Sequence, residues 1–279
     1  IRASRIARRA SVLPSGVNAD EMFGFLYRNV TDVFGRASSL RCPYLTASGD
    51  CGVWAHRPGV CATWYCKHVR GETSQHLWKL TEKLLRRVEE ELAVWCMAEL
   101  GVGAAEFDAL DAPATPHVTE LEGQVDDERY RRIWRDWVGR EQLFYGKAAE
   151  LVAPLGWDEV SSITGPRVRI LASLVRDAFE HLESSVMPER LVAGPLHIGR
   201  VERGGYVVTS YSPYDPVWMA DRLFSALPYF DGRPTEDALE ALSREKRVRV
   251  PARLLRRLID FGVLKAVPAA RVLSLTPVP

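Results

Sequence analysis

No run of about 18 uninterrupted apolar residues, the length a membrane-spanning helix needs, occurs in the 279-residue chain. The opening stretch IRASRIARRA carries arginines but no apolar run of a secretory signal. A soluble, cytoplasmic protein with no membrane partner is therefore expected. Charge of one sign is lacking too: the formal net charge of +1 excludes a surface coated uniformly for nucleic acid or anionic lipid and leaves only local patches. Five cysteines are too few for a disulfide scaffold in a chain this long, and their odd number fits a reducing compartment. Familiar catalytic signatures are missing as well. There is no phosphate loop, no G-x-S-x-G and no H-E-x-x-H, and the GVG at 101–103 follows a helical pattern instead of the strand a dinucleotide site requires.

What is present is a hydrophobic share of 47%, enough to bury a substantial core in one large domain or two smaller ones. Apolar spacing predicts a helix within residues 18–35, with Asn18 as its cap. It predicts a long helix from Thr73, with Leu77, Leu80, Leu84, Val88, Leu92 and Trp95 on one face and Gly101 as its stop. Small residues and prolines over 101–124 read as a connection. Helical patterns then resume over 126–156 and again after Pro166. The last ninety or so residues differ: β-prone stretches flank Gly204-Gly205 as a hairpin, and PVWMADRLFSALPYF, TEDALEALSR and VPARLLRRLIDFG read as three helices. VLKAVPAARVLSL reads as a second hairpin, and three helices closed by a hairpin make a winged helix. The fold expected is mainly α. It comprises a helical lead-in (1–38), a cysteine-rich metal-binding loop segment (39–71), a helical domain (72–185) and a winged-helix-like α+β module (186–279).

Four of the five cysteines, Cys42, Cys51, Cys61 and Cys66, fall within 25 positions, separated by eight, nine and four residues and punctuated by Pro43, Gly49, Gly52, Pro58 and Gly59. Four loop-borne thiolates suit either a tetrahedral zinc site or a [4Fe–4S] cluster. The absence of any C-x₂-C pair favours the cluster over Zn²⁺. A bound metal would contribute folding free energy that such irregular backbone otherwise lacks. Tyr44, Trp54, Trp64 and Tyr65 would shield the centre. His56 and His68 would supply a ligand or a hydrogen bond beside it, and Arg57 and Arg70 would offset thiolate charge. Cys96, beside Trp95 and Met97 on the long helix, reads as a core thiol.

The ordered elements Cys42 with Leu45, Cys51 with Val53-Trp54, Arg57-Pro58 with Cys61, and Tyr65-Cys66 resemble the signature of cysteine-rich proteins described as zinc- or iron-chelating domains. The resemblance covers residues 42–66 and lacks the additional upstream cysteines common in that family. A related pattern occurs in flagellin lysine N-methylases, for which it implies an iron–sulfur cluster and methyl transfer from S-adenosylmethionine. The rest of that enzyme's pattern is missing here, so the activity is not carried over.

From Arg244 onward there are nine lysines or arginines against two acids. Arg253, Arg256 and Arg257 fall at helical spacing beside Leu254, Leu255, Leu258 and Ile259, as on the recognition helix of a DNA-binding winged helix. The stretches YVVTS and YFDGRPTEDALEAL followed by LLRRLIDFGVL also resemble the precursor-recognition winged helices of modified-peptide biosynthesis, in which a leader peptide adds a strand to a sheet. The expectation is a metal-binding accessory or regulatory protein whose C-terminal module engages a protein, peptide or DNA partner. The alternative is an iron–sulfur or zinc enzyme that modifies a protein or peptide.

Overall fold

The computed structural model describes residues 6–19, 21–29, 40–42, 44–102 and 124–268. The end of the first expected helix, most of the 101–124 connection and the second strand of the closing hairpin lie outside these residues. The chain divides into two compact units, Ile1–Ala62 with Lys83–Leu171, and Thr63–Glu82 with Ala172–Pro279.

The first unit opens on a small antiparallel hairpin, β1 (Val12–Leu13) with β2 (Gly16–Val17). The helices α1 (Glu21–Asn29), one-turn α2 (Gly59–Ala62), α3 (Gly71–Glu99), α4 (Asp127–Trp134), α5 (Glu141–Val152) and α6 (Trp157–Glu183) follow, and the chain changes unit after α2, within α3 and within α6. Of the predicted apolar stripe of α3 Leu77 is buried and the rest is half-buried, and near the helix end Cys96 and Met97 are buried in the core. An aromatic cluster centres on Trp134 and Phe144, whose rings meet edge to face at 5.4 Å. Tyr130 Oη donates to Glu141 Oε1 (2.8 Å) and Trp137 Nε1 to Leu100 O (3.0 Å), while Trp134 Nε1 donates to Val12 O (3.1 Å) and Tyr145 Oη to Leu13 O (2.5 Å), the last two reaching β1. These two bonds pin β1 to the helices and explain why a two-residue strand persists.

Sequence pattern places a helix only after Pro166, whereas α6 begins at Trp157. Glu159 reaches back to the Gly156 N–H at 2.9 Å and starts the earlier turn. The helix is interrupted at Gly165 (φ 73°, ψ −162°), a conformation open to glycine, where the following proline disfavours a helical backbone.

The second unit carries two three-stranded antiparallel sheets among its described residues. One runs β4 (His197–Glu202), β5 (Gly205–Thr209), β6 (Val217–Ala220) in that order; the other places β3 (Arg190–Ala193) between β7 (Asp231–Pro234) and β8 (Leu264–Ala266). The Gly204-Gly205 hairpin forms as expected, with Glu202 opposite Gly205. In place of the helix predicted over PVWMADRLFSALPYF, the chain makes β6, then a single turn α7 (Asp221–Phe224) and a 3₁₀ turn at Leu227–Tyr229. The reason is period: Trp218 is exposed and its neighbour Met219 is buried, the alternation of a strand and not the stripe of a helix. The remaining helices, α8 (Thr235–Ala241) and α9 (Ala252–Asp260), close over the core. There Leu191, Met219, Leu242, Leu255, Leu258, Val263 and Leu264 are buried together. The protein is thus a mixed α+β molecule, chiefly helical, with its strands in small antiparallel sheets.

Candidate functional site

Cys42, Cys51 and Cys61 lie in the first unit and Cys66 in the second. All four are free thiols, Cys51 half-buried and the others exposed. The segment holding them is shaped by local hydrogen bonds. Leu45 and Cys51 form an isolated antiparallel bridge closed by the turn 46–50, in which Thr46 N–H donates to Asp50 O (2.8 Å) and Ser48 Oγ to the Asp50 carboxylate (2.7 Å). Gly49 takes φ 90° inside that turn. Downstream, Gly59 N–H donates to Glu89 Oε1 at 2.7 Å, and a Cβ at Gly59 would lie 2.6 Å from Leu85 Cβ. Residue 59 must therefore lack a side chain for this backbone to lie against α3.

Burial pushes the Cys61 thiol above its ordinary value, and the neighbouring Cys42 and Cys51 push it further while Arg57 pulls it back. Cys42 and Cys51 thus lie close enough to act on the Cys61 thiol. Among the described residues, however, no three His, Cys, Asp or Glu side chains are gathered so that they could hold a metal ion. The expected aromatic shield is open: Trp54, Trp64 and Tyr65 are all exposed, and Trp54 instead lies under the Arg57 guanidinium at 3.6 Å. His56 ends a 3₁₀ turn and is exposed.

His68 and Arg70, expected beside the cysteines, have other partners. His68 is buried, its N–H directed at the Asp215 carboxylate (3.4 Å) and its ring 6.2 Å from Tyr211, whose hydroxyl donates to the same carboxylate. Desolvation lowers the His68 pKa, partly countered by Asp215 and reinforced by Lys79, and burial with the Asp215 bond drives the Tyr211 phenol upward. Arg70 donates twice to Asp260, from Nε (2.9 Å) and Nη2 (2.8 Å). Its charge is used inside the second unit and not to neutralise thiolates.

The three arginines of α9 divide. Arg256 is held by Asp260 (3.1 Å) and donates from Nη1 to Val186 O (3.0 Å). Arg257 lies over the Phe261 ring at 5.5 Å and Arg253 is exposed; neither has a carboxylate partner among the described residues. With Arg70, Asp260 and Phe261 they line an open groove of about 490 Å³.

Next to it, sharing Arg257 and Phe261, a second groove of about 330 Å³ runs between β6 and α9. Its lining includes the apolar Val217, Met219, Leu223, Leu254, Leu258 and Val263 together with the charged Asp215 and Arg257. Among the described residues β6 is an edge strand with β5 as its strand partner. Sequence reading missed this groove because it took β6 for part of a helix. The stretch VWMA is apolar throughout, so its alternation of exposure, with Trp218 out and Met219 in, shows only in the structure.

Comparison with protein-family models, with curated proteins and with solved structures returned no match.

Proposed function

We propose that this is an accessory protein whose second unit captures an extended protein or peptide segment, as an added strand on β6 with side chains set into the groove against α9. The carrying observation is the coincidence of a strand edge unpaired among the described residues with a groove alongside it that is lined in large part by apolar side chains. Edge N–H and C=O groups give sequence-tolerant affinity, and the groove selects side chains. The succession α7, β7, α8, α9, β8 supports a winged-helix reading of this unit. DNA reading by α9 is less well supported, because one of its three arginines is bound internally to Asp260 and Val186.

The test pans a random linear peptide library against the full chain. Enriched peptides should slow hydrogen exchange of the Val217–Ala220 amides and should be lost with Leu254→Asp, which places a charge in the groove without touching β6. Peptides that bind while leaving those amides unprotected would refute the proposal.

A second reading, a [4Fe–4S] cluster or zinc in the cysteine segment, is favoured by one observation, the upward push that Cys42 and Cys51 exert on the Cys61 thiol. The side chains as placed do not form a coordination shell, so no chemistry is derived through a metal. Metal analysis with an absorption spectrum on anaerobically purified protein decides it. Iron with acid-labile sulfide and broad visible absorption identifies a cluster, stoichiometric zinc without colour identifies zinc, and metal-free protein with four titratable thiols in this segment ends the reading. An enzyme that modifies a protein or peptide is the alternative that would need such a metal, so the same measurement bears on it.

A further inference from the structure

We infer that the captured segment is acidic on one flank: the apolar groove beside β6 continues into the arginine-lined groove, which takes the segment's carboxylates. The inference rests on the peptide-capture reading. Arg70, Arg253, Arg256 and Arg257 line this groove against one acid, Asp260. That carboxylate is buried and already accepts from both Arg70 and Arg256, so it fixes two guanidiniums in place without neutralising the set. Arg253 and Arg257 are left for an external anion. Four guanidiniums crowded into one groove repel one another, and an incoming carboxylate relieves that repulsion while making charge-assisted, fork-shaped hydrogen bonds.

Continuity sets the polarity. The two grooves share Arg257 and Phe261, so a segment lying in the apolar groove passes directly onto the arginines. The groove beside β6 is also lined by Asp215, whose carboxylate is occupied by the Tyr211 hydroxyl and the His68 backbone N–H and repels further acids. Acidic residues are therefore accepted beside the arginines and disfavoured beside Asp215. A uniformly charged nucleic-acid strand has neither the apolar anchor nor this asymmetry.

The experiment sequences the peptides panned against the full chain and measures their affinity for Arg253→Glu/Arg257→Glu and Arg253→Lys/Arg257→Lys variants that retain the wild-type circular dichroism melt. The enriched peptides should carry Asp or Glu on one side of an aliphatic or aromatic anchor. They should weaken by about tenfold or more with the glutamates, much less with the lysines, and weaken with rising salt. Peptides that need Leu254 yet show no acidic bias and ignore the glutamate pair would overturn the inference and leave strand capture standing. Peptides indifferent to Leu254→Asp would remove the capture reading and the inference with it. Random-sequence duplex DNA that displaces the peptides, and is itself lost with the glutamate pair, would overturn the inference in favour of nucleic acid.

Discussion

Two segments are marked by crowding of one residue type, cysteine in 42–66 and basic residues from Arg244 onward, and the fold treats them in opposite ways. The cysteine segment keeps its sulfurs mainly at the surface and is shaped by hydrogen bonds among residues a few positions apart. The basic segment is built into a core: Leu255, Leu258 and Asp260 of α9 are buried, and Arg256 and Arg70 converge on that aspartate. Crowding in sequence therefore says where a chemistry is concentrated, not whether tertiary structure organises it. Organisation comes from a partner of opposite character, which the arginines have in Asp260.

That contrast predicts its own largest effect. Replacing the buried Asp260 by Asn leaves the half-buried guanidiniums of Arg70 and Arg256 without their anion, and should destabilise the second unit by about 2–3 kcal/mol in urea unfolding. The 46–50 turn draws nothing from Asp260, so alkylation of Cys51 in the folded protein should not change. A loss below about 1 kcal/mol, the range of an exposed pair, would mean that the arginines are no better organised than the cysteines.

A smaller effect tests the cysteine side. Gly59→Ala drives a Cβ to 2.6 Å from Leu85 Cβ. It should cost about 1–3 kcal/mol as an overpacked contact and speed the alkylation of Cys61 as the segment lifts from α3. An unchanged melting temperature with unchanged Cys61 reactivity would show that the segment does not dock at Gly59.

The smallest effect is a pH dependence in the second unit. His68 has its pKa lowered by burial, with Asp215 opposing and Lys79 assisting, and the raised Tyr211 phenol stays neutral beside it. Its neutral form is the one the fold prefers. The contribution is present above the unfolded value of about 6.5 and is lost as pH falls through the lower folded value. Melting temperature should therefore decline on acidification over that window, and His68→Gln should flatten the decline. An identical slope in the variant would assign the decline to other groups.

Much of the helical framework was readable because period and length agree. The long α3 with its buried Cys96, the short α8 and α9, and the Gly204-Gly205 hairpin all follow from local pattern. β6 was not readable as a strand, since four residues of alternating exposure are outweighed by the apolar count of the stretch around them. Within the candidate groove the basic face of α9 was legible, and so in principle was Asp260, four residues after Arg256. Arg70 was misplaced because sequence proximity to Cys66 outweighed an aspartate on a distant helix. His68 was misplaced for the same reason: its partner, Asp215, is 147 positions away.

The Arg70–Asp260 pair spans 190 positions, and Gly71 and Gly262 let the two strands of chain meet there. A Cβ on Gly71 would lie 2.7 Å from Phe261 Cα, and one on Gly262 would strike Glu72. In terms of synthesis, at roughly 5–20 residues per second the early segment waits on the order of 10–40 s for its aspartate to leave the ribosome. Through that interval its arginine has no anion and its glycine surface no cover. The second unit therefore cannot complete itself as it emerges, and its closure is a late event set by contact order.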